Sequence, residues 1–109
     1  MIKVTYIPKD YTIKLSGHSG AGTRGNDIVC SACSMVYYNL VAVLNLYPIE
    51  EAYKCFRGQE GTDGKRLTFI KARPKKEYAE MVEHDFSYAM VGFQTLADNY
   101  PECIKIDIK

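Results

Sequence analysis

Two short runs of strict apolar–polar alternation open the chain, and a proline turn joins them. Ile2, Val4 and Tyr6 alternate with Lys3 and Thr5; Tyr11, Ile13 and Leu15 alternate with Thr12, Lys14 and Ser16. A period of two is the signature of a strand with one buried face. Pro8-Lys9-Asp10 between the runs reads as a turn, so the chain begins as a β-hairpin whose second strand ends near His18. This start constrains everything after it. An antiparallel hairpin is not the opening of a doubly wound nucleotide-binding fold, which is built from parallel βαβ units.

After the hairpin the period changes. Residues 19–26 are rich in Gly, Ser, Thr and Asn and read as a loop. Asp27 is a plausible N-cap. Ile28, Val29, Ala32, Cys33, Val36, Tyr37, Leu40, Val43 and Leu44 then recur at helical spacing, predicting a largely buried helix to about Leu46, before Pro48. Tyr53–Arg57 and Arg66–Lys71 read as strands of a second hairpin, with Gly58, Gly61 and Asp63-Gly64 between them. Pro74 suits the first turn of a second helix whose apolar face is Tyr78, Val82, Phe86, Ala89, Phe93 and Leu96. Ile104, Ile106 and Ile108 alternate with charged residues as a last strand. The order β-β-α-β-β-α-β predicts an α+β fold, a mostly antiparallel five-stranded sheet with two helices on one face. At 109 residues a single domain over 1–109 is the expectation.

Composition narrows the function classes. The chain is 47% hydrophobic and 25% charged, with a net charge of +1. A balance so close to neutral gives no expectation of nucleic acid or membrane as a direct partner. The N-terminus has no long apolar stretch, and Val36–Leu46 is broken by Asn39 and Asn45, so neither a signal peptide nor a membrane span is expected. Four cysteines, Cys30, Cys33, Cys55 and Cys103, are then expected as reduced thiols of a cytoplasmic protein. Cys55 and Cys103 fall in predicted strands and read as packing residues.

The chemistry concentrates between Gly17 and Ser34. Capped by Asp27, a helix would hold Cys30 at about its third position, where free N–H groups and the macrodipole favour a thiolate. His18 ends the preceding strand, and a glycine-rich connection through Gly17, Ser19, Gly20, Gly22 and Gly25 would be a flexible loop returning it to Cys30. His18 would take the thiol proton and later deliver it to a leaving amine, while N–H groups near Cys30 stabilise an oxyanion. Read structurally, the same pair is a turn histidine and a buried helix cysteine. Asp27 caps the helix or orients His18, and Ser34, one turn beyond Cys30, bonds near the thiolate or back to the helix. Cys30-Ser31-Ala32-Cys33 is also a C-x-x-C, which would suit a dithiol redox protein. Gly20-Ala21-Gly22-Thr23-Arg24-Gly25 matches G-x-G-x-x-G literally, but behind a hairpin strand it carries little weight for nucleotide binding. Glu77, Glu80, His84 and Ser87 form a polar stripe that reads as a solvated helix face; no spacing suits a metal, and no cofactor is expected. Lys65, Arg66, Lys71, Arg73, Lys75 and Lys76 form a basic cluster that reads as a solvated edge or a site for an acidic or RNA-bearing partner.

The segment Gly17-His18-Ser19-Gly20, Gly25, Asp27-Ile28-Val29-Cys30-Ser31-Ala32 and Ser34 resembles the ribosomal-processing cysteine proteases called Prp. The element order is similar over the whole chain. The resemblance implies a cytoplasmic endopeptidase, a homodimer in its relatives. Such an enzyme removes the N-terminal extension of a large-subunit ribosomal protein, the twenty-seventh of the L series, after an aromatic pair. It implies Cys30 as nucleophile, His18 as base, and Asp27 and Ser34 as supporting residues. Related phage proteins imply capsid or scaffold processing as the alternative. Cys33 stands where the family usually has a small aliphatic residue.

Overall fold

Strand β1 (Ile2–Ile7) lies between the two strands that its alternation demands. The chain is described by a computed structural model over residues 1–17, 24–47, 53–60 and 67–109, with side chains described over 1–17, 28–47 and 68–109. β1 pairs antiparallel with β2 (Thr12–Ser16), setting Tyr6 opposite Ile13 and Val4 opposite Leu15. It pairs in parallel with β5 (Ile104–Ile108), setting Ile2 opposite Ile104 and Val4 opposite Ile106. β4 (Leu67–Pro74) continues antiparallel from β2 with Ile70 opposite Ile13, and β3 (Tyr53–Glu60) closes the edge antiparallel to β4. The sheet is therefore five-stranded and mixed, in the order β3-β4-β2-β1-β5. The registers of β1, β2, β4 and β5 bring Ile2, Val4, Tyr6, Ile13, Ile70 and Ile104 onto one face, which is the buried one.

Two helices, α1 (Arg24–Leu44) and α2 (Ala79–Asn99), cover that face. Val29, Cys33, Tyr37, Leu40 and Leu44 of α1 and Val82, Phe86, Ala89 and Phe93 of α2 join Val4, Ile13 and Ile70 in one core. Phe86 is fully buried; its ring lies nearly parallel to Tyr6 at 6.3 Å between centroids and meets Tyr11 edge-on at 6.4 Å. Tyr11 has φ 48°, a left-handed conformation unusual for a bulky residue. Its ring contact with Phe86 offsets that cost. Tyr37 fastens α1 to the sheet, its hydroxyl donating to the Phe69 carbonyl at 3.1 Å. Gly92 lets the helices approach closely, since a Cβ there would meet Val36 Cγ2 at 3.1 Å.

The element order is the one expected, but several ends move. β2 stops at Ser16. α1 begins at Arg24 and takes in Gly25 and Asn26, so Asp27 stands fourth in the helix and is not its N-cap. α1 ends at Leu44, not Leu46. β3 runs through Gly58 to Glu60. Pro74 ends β4 rather than starting a helix; it lies past Lys71, the last β4 residue paired with β2, so its missing N–H interrupts no inner ladder. A 3-10 turn at Lys76–Tyr78 leads into α2 instead. Cys103 sits in the turn before β5, its carbonyl accepting the Ile2 N–H at 2.9 Å.

Phe86→Ala is expected to cost about 3–5 kcal/mol in urea unfolding, the range for deleting a buried phenyl ring; a loss below about 1 kcal/mol would show that the core does not close on this ring. Gly17 has φ +92°, and a Cβ there would run into the Met1 carbonyl oxygen. Gly17→Ala should therefore lower the unfolding midpoint clearly, while the exposed Ser34→Ala should leave it within about 0.5 kcal/mol.

Candidate active site

Cys30 is the seventh residue of α1, one turn further in than the first-turn position expected from an Asp27 cap. In a helix beginning at Arg24 its N–H is taken up by the i→i−4 ladder. The macrodipole acts mainly within the first turn, so neither free helix amides nor the dipole is what marks Cys30. Its burial is what marks it. The thiol is half-buried at the margin of the core, with Val29 before it fully buried and Ser31 after it exposed. A group so placed is reached from outside yet has apolar walls behind it. Ser34 lies one helical turn further along and is exposed.

Cys33 lies one turn from Cys30 and is 4% exposed. Burial pushes its thiol up to about 11, with the neighbouring Cys30 adding in the same direction. A raised value means that Cys33 is a neutral thiol throughout the physiological range. Cys30, Cys33 and Cys103 are free. The C-x-x-C thus occupies the seventh to tenth places of α1 rather than its start, and its second cysteine is part of the core.

The other expected site residues divide between helix and connection. Gly17 is the last described residue before the connection and carries the positive φ noted above. Gly25 belongs to α1, which corrects its assignment to a flexible loop. His18, Ser19, Gly20 and Gly22 lie outside the described residues, as does the side chain of Asp27. The polar stripe of α2 is exposed at Glu80, His84 and Ser87.

Two features had no counterpart in the sequence reading. The Tyr47 hydroxyl donates to Asp85 Oδ2 at 2.7 Å, and burial, then Asp85, pushes the phenol up to about 12. A groove of about 500 Å³ runs between the outer faces of α1 and α2, lined by Val36, Val43, Tyr88, Val91 and Gly92 among others. Charge would have revealed it: from Ile28 to Leu44, α1 carries no Lys, Arg, Asp or Glu, although Met35, Tyr38 and Val43 are exposed. Among the described residues no group of three or more His, Cys, Asp or Glu is placed to hold a metal ion, and no helix is long and apolar enough to cross a membrane.

Residues 1–105 match the family model for cysteine protease Prp. Crystal structures of similar fold include SMU.848 from Streptococcus mutans, 29% identical with a TM-score of 0.75, over 99% of this chain and 93% of that one. An essential ribosomal processing protease Prp from S. aureus in complex with a substrate peptide is 23% identical, with a TM-score of 0.71, over 100% of both chains. The S. aureus protease with a covalently linked product peptide is 24% identical, with a TM-score of 0.70, again over 100% of both. No curated protein matches the chain.

The two neighbouring thiols should differ sharply in reactivity. After brief iodoacetamide treatment of the native protein at pH about 8, peptide mapping should find Cys30 labelled and Cys33 protected, with both labelled in urea. Equal native labelling would contradict the burial of Cys33. Because the folded pKa of Cys33 lies above its ordinary 9.0, its contribution to stability is complete below about 9 and is lost as pH rises through about 11.

Proposed function

The chain belongs to the cysteine protease Prp family, and we propose that it is a site-specific endopeptidase that removes the N-terminal extension of a large-subunit ribosomal protein, the twenty-seventh of the L series, in the cytoplasm. The observation that carries the reading is a half-buried, free Cys30 on α1 inside a chain matched by the cysteine-protease model over residues 1–105. The two S. aureus structures, one holding a substrate peptide and one a covalently linked product peptide, support a peptide substrate and a covalent route.

In this mechanism His18 takes the Cys30 proton, and the thiolate attacks the scissile carbonyl. The tetrahedral intermediate collapses as His18 protonates the leaving amine, and water then hydrolyses the acyl-enzyme. Asp27 orients the imidazole, and Ser34 bonds near the sulfur from the next turn. Gly17, at the root of the connection, fixes the point from which His18 departs.

We assign the outer face of α1, which carries no charge from Ile28 to Leu44, and the adjoining face of α2 to a homodimer. Tyr88 is 76% exposed and Val91 63%, and with Val36 and Val43 across the groove they make an apolar surface of the kind that partners cover. Val91→Asp should convert the dimer to a monomer in light scattering; a wild type that is monomeric at micromolar concentration would remove this assignment.

A peptide spanning the ribosomal-protein extension should be cut once, between an aromatic pair and a small residue. Cys30→Ala should abolish cleavage, and His18→Ala should lower kcat by about 10²–10⁴ with little change in KM. Cleavage that persists in Cys30→Ala would overturn the mechanism, and cleavage of capsid-type peptides alone would reassign the substrate.

A further inference from the structure

The net charge of +1 conceals a sorting of charge imposed by the sheet. α2 carries Glu80, Glu83, Asp85 and Asp98 and no lysine or arginine. The strands carry the opposite sign on the face turned away from the helices. Strand parity puts Lys3, Lys14, Lys71, Arg73 and Lys105 there, because Ile2, Val4, Ile13, Ile70, Ala72 and Ile104 occupy the other face. Asp107 is the carboxylate of this face among the described side chains, and it is shared between Lys3 and Lys109 at 3.8 Å from each.

Two details set this face apart from an ordinary solvated surface. Lys3 stands directly opposite Lys105 in the β1–β5 pairing. Like charges so placed on neighbouring strands, about 4.8 Å apart, destabilise a sheet, and Asp107 relieves only part of that repulsion. Phe69 stands directly opposite Lys14 on the same face, partly exposed, outside the core that takes in Ile70 beside it. The result is an open platform with cations spread over four strands and an aromatic ring among them.

We propose that this sheet face binds single-stranded RNA, with Lys3, Lys14, Lys71 and Lys105 meeting phosphates and the Phe69 ring stacking on a base. A positively charged surface that tracks the backbone, with aromatic rings for the bases, is how sequence-tolerant single-strand binders work. An acidic peptide would use the lysines but not the ring, and two grooves among the described residues lie on the helical side, not here. The inference stands independently of the peptidase reading, since α1 and Cys30 lie across the sheet.

The test is fluorescence anisotropy with a labelled, unstructured 12-nucleotide uridine-rich RNA over a salt series, with polyglutamate as competitor. Wild type should bind at low salt with a log–log slope of about −3, from four phosphate contacts at about 0.7 each. The K14Q/K71Q/K105Q triple variant should flatten the slope by about 2. Phe69→Ala should weaken binding about tenfold and leave the slope unchanged. Thermal melts of both variants confirm folding, and the wild-type slope is a readout that needs no variant. Absence of RNA binding at low salt overturns the proposal. So does polyglutamate competing as well as RNA while Phe69→Ala has no effect, which would assign the face to an acidic protein.

Discussion

The burial of one face of β1 is the constraint on which the rest of this structure depends. Ile2, Val4 and Tyr6 fix the register with β2 on one side and with β5 on the other. Those registers make a single apolar face, and two long helices are the cover it requires. Phe86 fills the centre of the contact, between Tyr6 and Tyr11. A one-residue slip of β1 would expose the core side chains and turn Lys3 inward. The same parity that makes the core therefore makes the basic outer face. Because β5 joins β1 in parallel, the last strand is held against the first, and this long-range pair settles the strand beside β2, from whose end Gly17 and the connection to α1 follow.

Much of this was legible in the sequence because its signals are local. Alternation gave the hairpin, helical spacing gave both helices, and Ile104, Ile106 and Ile108 gave the last strand. The ends were less legible because the competing terms are close. Gly25 and Asn26 are poor helix formers and Asp27 is a strong cap, so local preference puts the helix start at Asp27. The folded chain begins it at Arg24. Gly58 reads as a turn residue but is held in β3 opposite Phe69 of β4, where ladder pairing outweighs its preference. Pro74 suits a first helical turn and suits equally well the end of a strand beyond its inner neighbour.

The site was legible in its residue types and not in its electrostatics. The residue pattern points to Cys30 through a place at the helix terminus that it does not hold. What distinguishes it is a half-buried thiol at the margin of the core, beside a Cys33 that burial keeps neutral. The sorting of charge was invisible for a different reason. Net charge sums over the chain, whereas the acidic α2 and the basic outer strands are separated only once the sheet has formed.

The central claim is that Cys30 is the nucleophile of this member of the cysteine protease Prp family. Intact-mass spectrometry after incubation with a peptidyl chloromethyl ketone carrying an aromatic pair tests it most directly. The account predicts one adduct per chain, mapped to Cys30, absent in His18→Ala at short times and suppressed by excess substrate peptide. An adduct at Cys33 or Cys103, or one indifferent to the substrate peptide, would contradict it.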